Sequence, residues 1–247
     1  MIFNQVKFLL LLSLSTVYAQ EVKWMSIGDL HNWYSAAGSE IEVGRTGQVS
    51  DQQDGLRYPA FYRVQDNQAA KGLWLGASNF YDPIVNKNYD KKVVHAGPRH
   101  LDIENETMPV RITMDGKYDH PNVFVDGDPS TNLQYLDKLD NIDPSLESDR
   151  KINNIVQTSL GVRMKRNIYA FAHPDHQNYH IQEYIFTNNG CFDAECNTTY
   201  DQTIDGFQVY LQYRYAISRE GMVYDGNWLP QSAAWGHNTM NDVIGEK

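Results

Sequence analysis

The chain has 247 residues, of which 31 are Asp or Glu and 21 are Lys or Arg, giving a formal net charge of −10. The basic residues form no block or stripe, so the composition excludes the usual electrostatic basis for binding nucleic acid or an anionic membrane surface. A chain of this length accommodates one large β domain or two small ones, and we favour one.

The N-terminal segment has the organisation of a secretory signal peptide. Lys7 supplies a positive region, residues 8–14 an apolar core, and residues 17–19 (Val-Tyr-Ala) a small-residue cleavage site. The alternative is a buried N-terminal helix, which these flanks disfavour. The apolar run is too short to span a bilayer, and no later run is long enough. We therefore predict a signal peptide over residues 1–19, export to the medium or cell surface, and a mature domain over residues 20–247 without a membrane span.

The sequence contains two cysteines, Cys191 and Cys196. An even number of cysteines in an exported chain favours a disulfide bond, here closing a short loop. A metal site would need two further soft or imidazole ligands nearby, and this spacing alone does not supply them. We predict a Cys191–Cys196 disulfide, with free or metal-bound thiols as the alternative.

Strand signals recur along the first half of the mature chain. Val22 and Trp24 open a first predicted strand, which ends at Gly28 and Asp29. Residues 78–92, rich in Asn, Asp and Tyr, are predicted as a loop. The other predicted strands of this half cover residues 58–64, 72–77, 93–94, 110–114 and 122–125.

One segment carries a helical signal. Asp143 suits the N-cap and Pro144 the first helical position, so a helix of two or three turns is predicted to begin there. Its partial apolar stripe consists of Leu146, Ile152, Ile155 and Val156.

The longest alternating pattern covers residues 207–217 and organises the predicted fold. It favours a strand, because a helix would scatter the same apolar residues around its circumference. Two further strands are predicted just upstream, over residues 162–171 and 179–187. Three long antiparallel strands need a second layer to cover their apolar face, so we predict an antiparallel β-sandwich with one short helix. The residues of the last strand expected to point into the core are Val209, Leu211 and Tyr213.

A histidine-rich connection between the two upstream strands is the sharpest candidate metal site. It contains His173, His176 and His180 with Asp175, and a loop between paired strands would bring their side chains within ligand distance of one ion. The alternative is an ordinary turn, which Pro174 and Asp175 already explain. We predict that the protein carries no stoichiometric transition metal.

Acidic loops are candidate calcium ligands. None of them completes the D-x-D-x-D-G loop with its closing Glu, and Asp is also an ordinary turn residue. We therefore predict no cofactor and leave a structural calcium ion open, without favouring one site. The acidic sets are Asp126 with Asp128, Asp137 with Asp140 and Asp143, and Asp193 with Glu195.

The aromatic residues are the third candidate feature. Five Trp and sixteen Tyr residues in an exported β protein can form a platform on which sugar rings stack. The alternative, which we favour, is that most of them fill the core and the bases of loops. The tryptophans retained as candidate ligand contacts are Trp33, Trp74, Trp228 and Trp235.

Residues 178–190 (Asn-Tyr-His-Ile-Gln-Glu-Tyr-Ile-Phe-Thr-Asn-Asn-Gly), followed by residues 207–211, resemble a recurrent element of uncharacterised large secreted proteins of Bacteroidota-like bacteria. Residues 33–45 and 94–101 are similar to the same group. Those proteins often end in a type IX secretion sorting domain, which this sequence does not contain. The resemblance implies export, a β architecture and a chain that is the N-terminal part of a longer protein. It implies no activity and no catalytic residues.

No complete catalytic motif is present: the sequence lacks a G-x-S-x-G element, a phosphate loop and a dinucleotide fingerprint. Our leading hypothesis is a secreted or surface-displayed β-sandwich module with a binding or structural role, whose partner is an extracellular glycan or protein. The rival is a carbohydrate-active hydrolase or lyase domain with a Trp-rich cleft, and a third hypothesis is a metal-dependent site at the histidine loop. A cleft lined by Trp with two facing carboxylates would favour the enzyme, and a flat, evenly polar surface would favour the module.

Overall fold

The structure, a computed structural model, describes residues 21–41, 56–61, 68–96, 106–129, 137–216 and 239–242. Within these ranges the chain forms β-strands and no helix, so the prediction of a mainly β protein is confirmed. Accordingly, no helix in the described ranges is long and apolar enough to cross a membrane. The strands are β1 (Val22–Met25), β2 (Asn32–Ser35), β3 (Glu40–Ile41), β4 (Gln68–Asp82), β5 (Lys87–Ala96), β6 (Thr107–Gly116), β7 (Phe124–Val125), β8 (Asp128–Pro129), β9 (Asn141–Ile142), β10 (Arg150–Thr158), β11 (Val162–Ala170), β12 (Ile181–Asn188), β13 (Asp205–Ala216) and β14 (Thr239–Asp242).

Two five-stranded sheets pack against each other. Sheet I has the order β12-β11-β10-β6-β9 and is antiparallel except for the short parallel pair β6-β9. Sheet II has the order β14-β13-β4, and β3 and β5 pair with successive parts of the other edge of β4. Two hairpins, β1-β2 and β7-β8, complete the described strands. This arrangement confirms the predicted sandwich.

The main core lies between the two sheets. Because side chains alternate along a strand, Leu73, Leu75 and Ala77 of β4 face β11 and β10 across the interface, and Phe80 also faces inward after Asn79, which has a positive φ. The buried members of this main core are Leu73, Leu75, Ala77, Phe80, Val94, Ala96, Val156, Leu160, Val162, Met164 and Phe192. A second cluster lies where the β1-β2 hairpin covers the remainder of the inner face of sheet I. Its buried members are Met25, Tyr34, Ala36, Ile112, Met114, Ile152, Ile168 and Ala170.

The strand predicted over residues 207–217 is β13, but it lies in a different sheet from the two strands upstream. β11 and β12 pair in sheet I, whereas β13 pairs with β4 in sheet II. Leu211 packs against the main core as predicted, and Tyr213 is half-buried. The prediction for Val209 is wrong: its side chain is 43 % exposed. Ile217 lies outside the described residues.

The predicted helix is a turn followed by a strand. The backbone N–H and the hydroxyl of Ser145 donate to the Asp143 carboxylate, at 2.9 and 2.6 Å, and β10 begins at Arg150. Ile152 and Val156 are both buried on the inner face of sheet I. They are four residues apart, a spacing that fits the helical period and strand alternation equally well, so the pattern did not distinguish the two.

Two other sequence predictions are corrected. Residues 78–92 are not a loop but the two arms of the β4-β5 hairpin, with its turn at residues 83–86. Asp82 stabilises that turn by accepting the backbone N–H groups of Ile84 and Val85, and it also pairs with Lys92. Residues 58–61 form a turn rather than the start of a strand, and residues 62–64 lie outside the described ranges.

The predicted disulfide between Cys191 and Cys196 is present, with 4.8 Å between the two Cα atoms. Inside its loop the Asp193 carboxylate accepts backbone N–H groups from Glu195, Asn197 and Thr198. These donors favour the charged carboxylate and hold the pKa of Asp193 below its usual value. The loop is therefore ordered by a covalent bond and by a hydrogen-bonded carboxylate together.

We expect Ile168→Ala to lower the free energy of unfolding by about 2–5 kcal/mol, because Ile168 is 0 % exposed and its loss leaves a cavity. Ile185→Ala on the neighbouring strand is the matched control. Its side chain is 43 % exposed, so we expect a loss below about 1 kcal/mol. Urea unfolding of both variants measures the difference, and equal losses would contradict the assigned inner and outer faces.

Candidate functional site

Two of the four tryptophans considered as ligand contacts lie in the described part of the chain. Trp33 is buried on β2, and its ring centroid lies 4.7 Å from that of Trp24 on β1. Trp74 is half-buried on the outer face of sheet II, because it alternates with the core residues Leu73 and Leu75 on β4. Trp228 and Trp235 lie outside the described residues. Trp74 is thus the described candidate that a ligand can reach from solvent.

Trp74 forms an aromatic pair with Tyr210. The two are cross-strand partners on β4 and β13, with ring centroids 5.1 Å apart and ring planes inclined by 20°. Gly72 and Gly76 precede and follow Trp74 on the same face of β4. A Cβ atom at Gly72 would lie 4.0 Å from the indole Nε1 of Trp74, and Gly72 itself is buried.

Polar side chains border this pair on both sides. On β5, His95 is the cross-strand partner of Trp74, and its Nδ1 lies 2.8 Å from Oε2 of Glu106. Both side chains are about 36 % exposed. On β13, Gln208 and Gln212 are the neighbours of Tyr210 on the outer face. We call the surface formed by Gly72, Trp74, Gly76, Tyr210 and these polar neighbours the aromatic face.

On the inner side of the sandwich a charged cluster lies where the two apolar cores meet. Arg166 on β11 is 0 % exposed and is the cross-strand partner of buried Asn154. Its guanidinium donates to the carbonyl oxygens of Gly38 and Ser35, at 2.9 and 3.1 Å, and to Oδ1 of Asn154 at 3.1 Å. Arg166 therefore ties the segment between β2 and β3 to sheet I.

Glu40 on β3 is the anion of this cluster. Its Oε1 lies 2.9 Å from Nζ of Lys71 on β4 and 3.7 Å from Nη1 of Arg166, and its Oε2 accepts a hydrogen bond from Asn32 at 2.9 Å. Burial alone would lower the pKa of Lys71, but the nearby charge of Glu40 outweighs it, so the net pKa is raised and Lys71 stays charged. We call Glu40, Lys71 and Arg166 the charge cluster; its formal sum is one positive charge.

A cavity of about 370 Å³ lies beside the charge cluster, between β12 on one side and β4 and β13 on the other. We call it the inner pocket. Polar groups in its wall belong to Asn32, Glu40, Lys71, His180 and Gln182. Aromatic rings in its wall belong to Tyr34, Tyr179, Tyr184 and Tyr213. Apolar side chains with a few convergent polar groups are typical of small-molecule sites, and the volume is at the lower end of their range.

His180, one of the predicted metal ligands, is part of this wall. Its Nε2 lies 2.9 Å from the carbonyl oxygen of Leu30 and must donate to it, so Nδ1 is the acceptor for the Tyr34 hydroxyl at 2.7 Å. Burial lowers the pKa of His180 to about 4, and burial also raises the pKa of Tyr34 well above its usual value. Nε2 therefore carries the proton and the lone pair of Nδ1 accepts the Tyr34 hydroxyl, which leaves no lone pair for a metal.

The other two histidines lie in the exposed turn between β11 and β12. The ring centroids of His173 and His176 are 5.7 Å apart, and His176 is hydrogen-bonded to Tyr179. His173 accepts the backbone N–H of Asp175 at 3.2 Å. In the described ranges no three His, Cys, Asp or Glu side chains are grouped to hold a metal ion. The absence of a transition metal remains a prediction.

The acidic candidates are mostly engaged within the protein. Asp137 pairs with His120 at 2.9 Å, and Asp140 pairs with Lys23 at 3.0 Å. Asp143 and Asp193 accept hydrogen bonds within their own turns, as described above, while Asp126 and Asp128 are exposed in the β7-β8 hairpin. These positions are scattered over the fold and form no shared site among the described residues. A structural calcium ion, with no site favoured, remains an open prediction.

The charge cluster was not predicted from the sequence. A signal was present: Arg166 occupies an inward position of β11 between the apolar residues Met164 and Ile168, and Asn154 does the same on β10. A charge at such a position needs a buried partner. Glu40 and Lys71 come from distant segments, and nothing in the local pattern identified them as that partner.

No family model matches the chain, and no curated protein and no solved structure matches it.

We expect the stability of the protein to fall as the pH is lowered from about 6.5 to about 4. The neutral form of His180 is favoured in the folded state, where its pKa is about 4, while the unfolded chain takes up the proton near 6.5. The stabilisation is complete above pH 6.5 and is lost as the pH falls toward 4. Between pH 7 and pH 5 the loss from His180 is about 2 kcal/mol.

Urea unfolding at pH 7 and pH 5 measures this effect. His31, whose pKa burial also lowers to about 4, contributes with the same sign, so His180→Gln should remove only part of the pH dependence. His173→Gln, in the exposed turn, should leave the dependence unchanged. An unaltered pH dependence in His180→Gln would show that His180 is not buried in the neutral form.

Proposed function

We propose that this chain is a secreted or surface-displayed binding module that holds a glycan chain on its aromatic face. The observation that carries the proposal is the stacked pair of Trp74 and Tyr210, both half-buried on the outer face of sheet II. The predicted signal peptide, the disulfide and the resemblance of the sequence to secreted bacterial proteins all support export.

Sugar rings present C–H groups on their faces and hydroxyl groups around their rims. The apolar rings of Trp74 and Tyr210 can pack against the C–H face of a sugar ring. The indole N–H and the phenol hydroxyl at their edges can hydrogen-bond to its hydroxyl groups. The amides of Gln208 and Gln212 and the His95–Glu106 pair supply donors and acceptors for the hydroxyl groups at both sides. Stacking and hydrogen bonding are thereby available at the same surface.

The shape of the surface favours a polymer over a single sugar. The aromatic face is a stretch of sheet rather than a cavity, and the segment from Gly72 to Gly76 extends about 13 Å along β4 at the usual rise of a strand. A polysaccharide can lie along such a surface and contact it through more than one ring. A monosaccharide would bury too little of its area there to bind tightly.

The rival hypothesis, a carbohydrate-active enzyme, required a Trp-rich cleft with two facing carboxylates. In the described residues Trp33 is buried and Trp74 lies on an open sheet face, so neither lines a cleft. A glycoside hydrolase needs a pair of carboxyl groups on either side of the scissile bond. The carboxylate identified beside the aromatic pair, Glu106, is engaged with His95. Binding is therefore the function that the arrangement supports better.

Binding of the full-length chain to a panel of soluble and insoluble polysaccharides tests this proposal. We expect Trp74→Ala and Tyr210→Ala to weaken binding about tenfold or more, because each removes one ring of the stack. Tyr169→Ala is the matched control, since Tyr169 is half-buried on the outer face of sheet I, where it contacts Lys151 rather than another aromatic ring.

Three results would contradict the proposal. The first is the absence of binding to every polysaccharide in the panel. The second is a loss in Tyr169→Ala as large as that in Tyr210→Ala. The third is release of reducing ends or unsaturated sugars from a bound polysaccharide, which would instead favour the enzyme.

A further inference from the structure

The inner pocket is separate from the aromatic face. Lys71 and Trp74 lie on the same strand, β4, but alternation places Lys71 inside the sandwich and Trp74 outside it. The pocket wall is built from β2, β3, β4, β12 and β13, so both sheets contribute to it. A ligand in the pocket would therefore contact different residues from a glycan on the outer face.

The charge cluster beside the pocket carries a formal excess of one positive charge. Lys71 and Glu40 line the pocket, whereas Arg166 is fully buried outside the wall, with its Nη1 3.7 Å from Oε1 of Glu40. His180, also in the wall, is neutral at pH 7 because burial lowers its pKa to about 4. The charge cluster therefore favours an anion at this position and disfavours a cation.

The rest of the wall restricts the size and chemistry of that anion. A volume of about 370 Å³ suits a molecule of one sugar ring rather than an oligosaccharide. The rings of Tyr184 and Tyr213 and the side chain of Leu211 offer apolar surface. The amide of Gln182, which accepts the Tyr184 hydroxyl at 2.8 Å, and the buried Lys71 offer polar contacts.

We propose that the inner pocket binds a small hydroxylated carboxylic acid, of the class of the uronic acids, with its carboxylate directed at Lys71. The ammonium of Lys71 carries three donors, and its bond to Glu40 uses one of them. A charge-assisted hydrogen bond to the ligand carboxylate is about twice as strong as a neutral one. The hydroxyl groups of the ligand then face the polar side chains of β12, and its ring lies against the tyrosines.

Calorimetric titration of the full-length chain with glucuronate and galacturonate, each beside its uncharged amide, tests the charge preference directly. The amide has the same shape and hydroxyl groups as the acid and differs in lacking the negative charge. We expect saturable binding of at least one acid, about tenfold or more stronger than that of its amide, because the amide loses the charge-assisted bond.

Lys71→Met locates the site. This variant should reduce binding of the acid about tenfold or more and bring it close to that of the amide. Lys165→Met is the matched control, because Lys165 is exposed on the outer face of sheet I, and it should bind as the wild type does. Should Lys71→Met fail to fold, the comparison of acid and amide on the wild-type chain still decides the question.

Three outcomes would overturn the proposal. The first is the absence of saturable binding for both acids at millimolar concentration. The second is equal binding of acid and amide, which would indicate a pocket for neutral sugars. The third is undiminished binding of the acid by folded Lys71→Met, which would place the anion at another site.

Discussion

The described structure depends most on the pairing of the Glu40 carboxylate with two buried cations. It lies between Lys71, a cation of sheet II, and Arg166, a cation of sheet I. Two buried cations without a nearby anion would each retain a large desolvation cost. Glu40 offsets that cost for both, and it does so from β3, which joins β4 through backbone pairing. The two sheets and the segment between β2 and β3 are thereby held together by charge as well as by apolar packing.

This arrangement places two different surfaces on one strand. The inward residues of β4 contribute Lys71 to the charge cluster and Leu73 and Leu75 to the main core, while its outward residues contribute Gly72, Trp74 and Gly76 to the aromatic face. The same alternation that builds the sandwich therefore separates the proposed glycan surface from the proposed pocket. A rigid, well-packed strand is a suitable support for both, because binding groups must be held in place by their neighbours.

The strands could largely be predicted from the sequence, since alternation depends on neighbouring residues alone. The segments that became β11, β12 and β13 show this, with small differences at their ends. The pairing of these strands was harder to predict. β13 pairs with β4, far upstream, and a period of two does not specify which strands pair. The turn at Asp143 was mistaken for a helix because Ile152 and Val156 satisfy both periods. Of the candidate site residues, Trp74 could be named from its type, but its partner Tyr210 and its position between two glycines on one face required the register of the sheet. The charge cluster joins three strands, β3, β4 and β11, and its position between the two cores is a property of the assembled sheets.

The unfolding free energy of Glu40→Gln is the most direct test of this account. We expect a loss of about 3–5 kcal/mol, because the amide leaves two buried cations without their anion. The double variant Glu40→Gln/Lys71→Met should be more stable than Glu40→Gln alone, since it removes one of those cations. Glu147→Gln, at an exposed carboxylate in the turn before β10, is the control and should change stability by less than about 1 kcal/mol. A Glu40→Gln variant as stable as Glu147→Gln would contradict the central role of the buried charge.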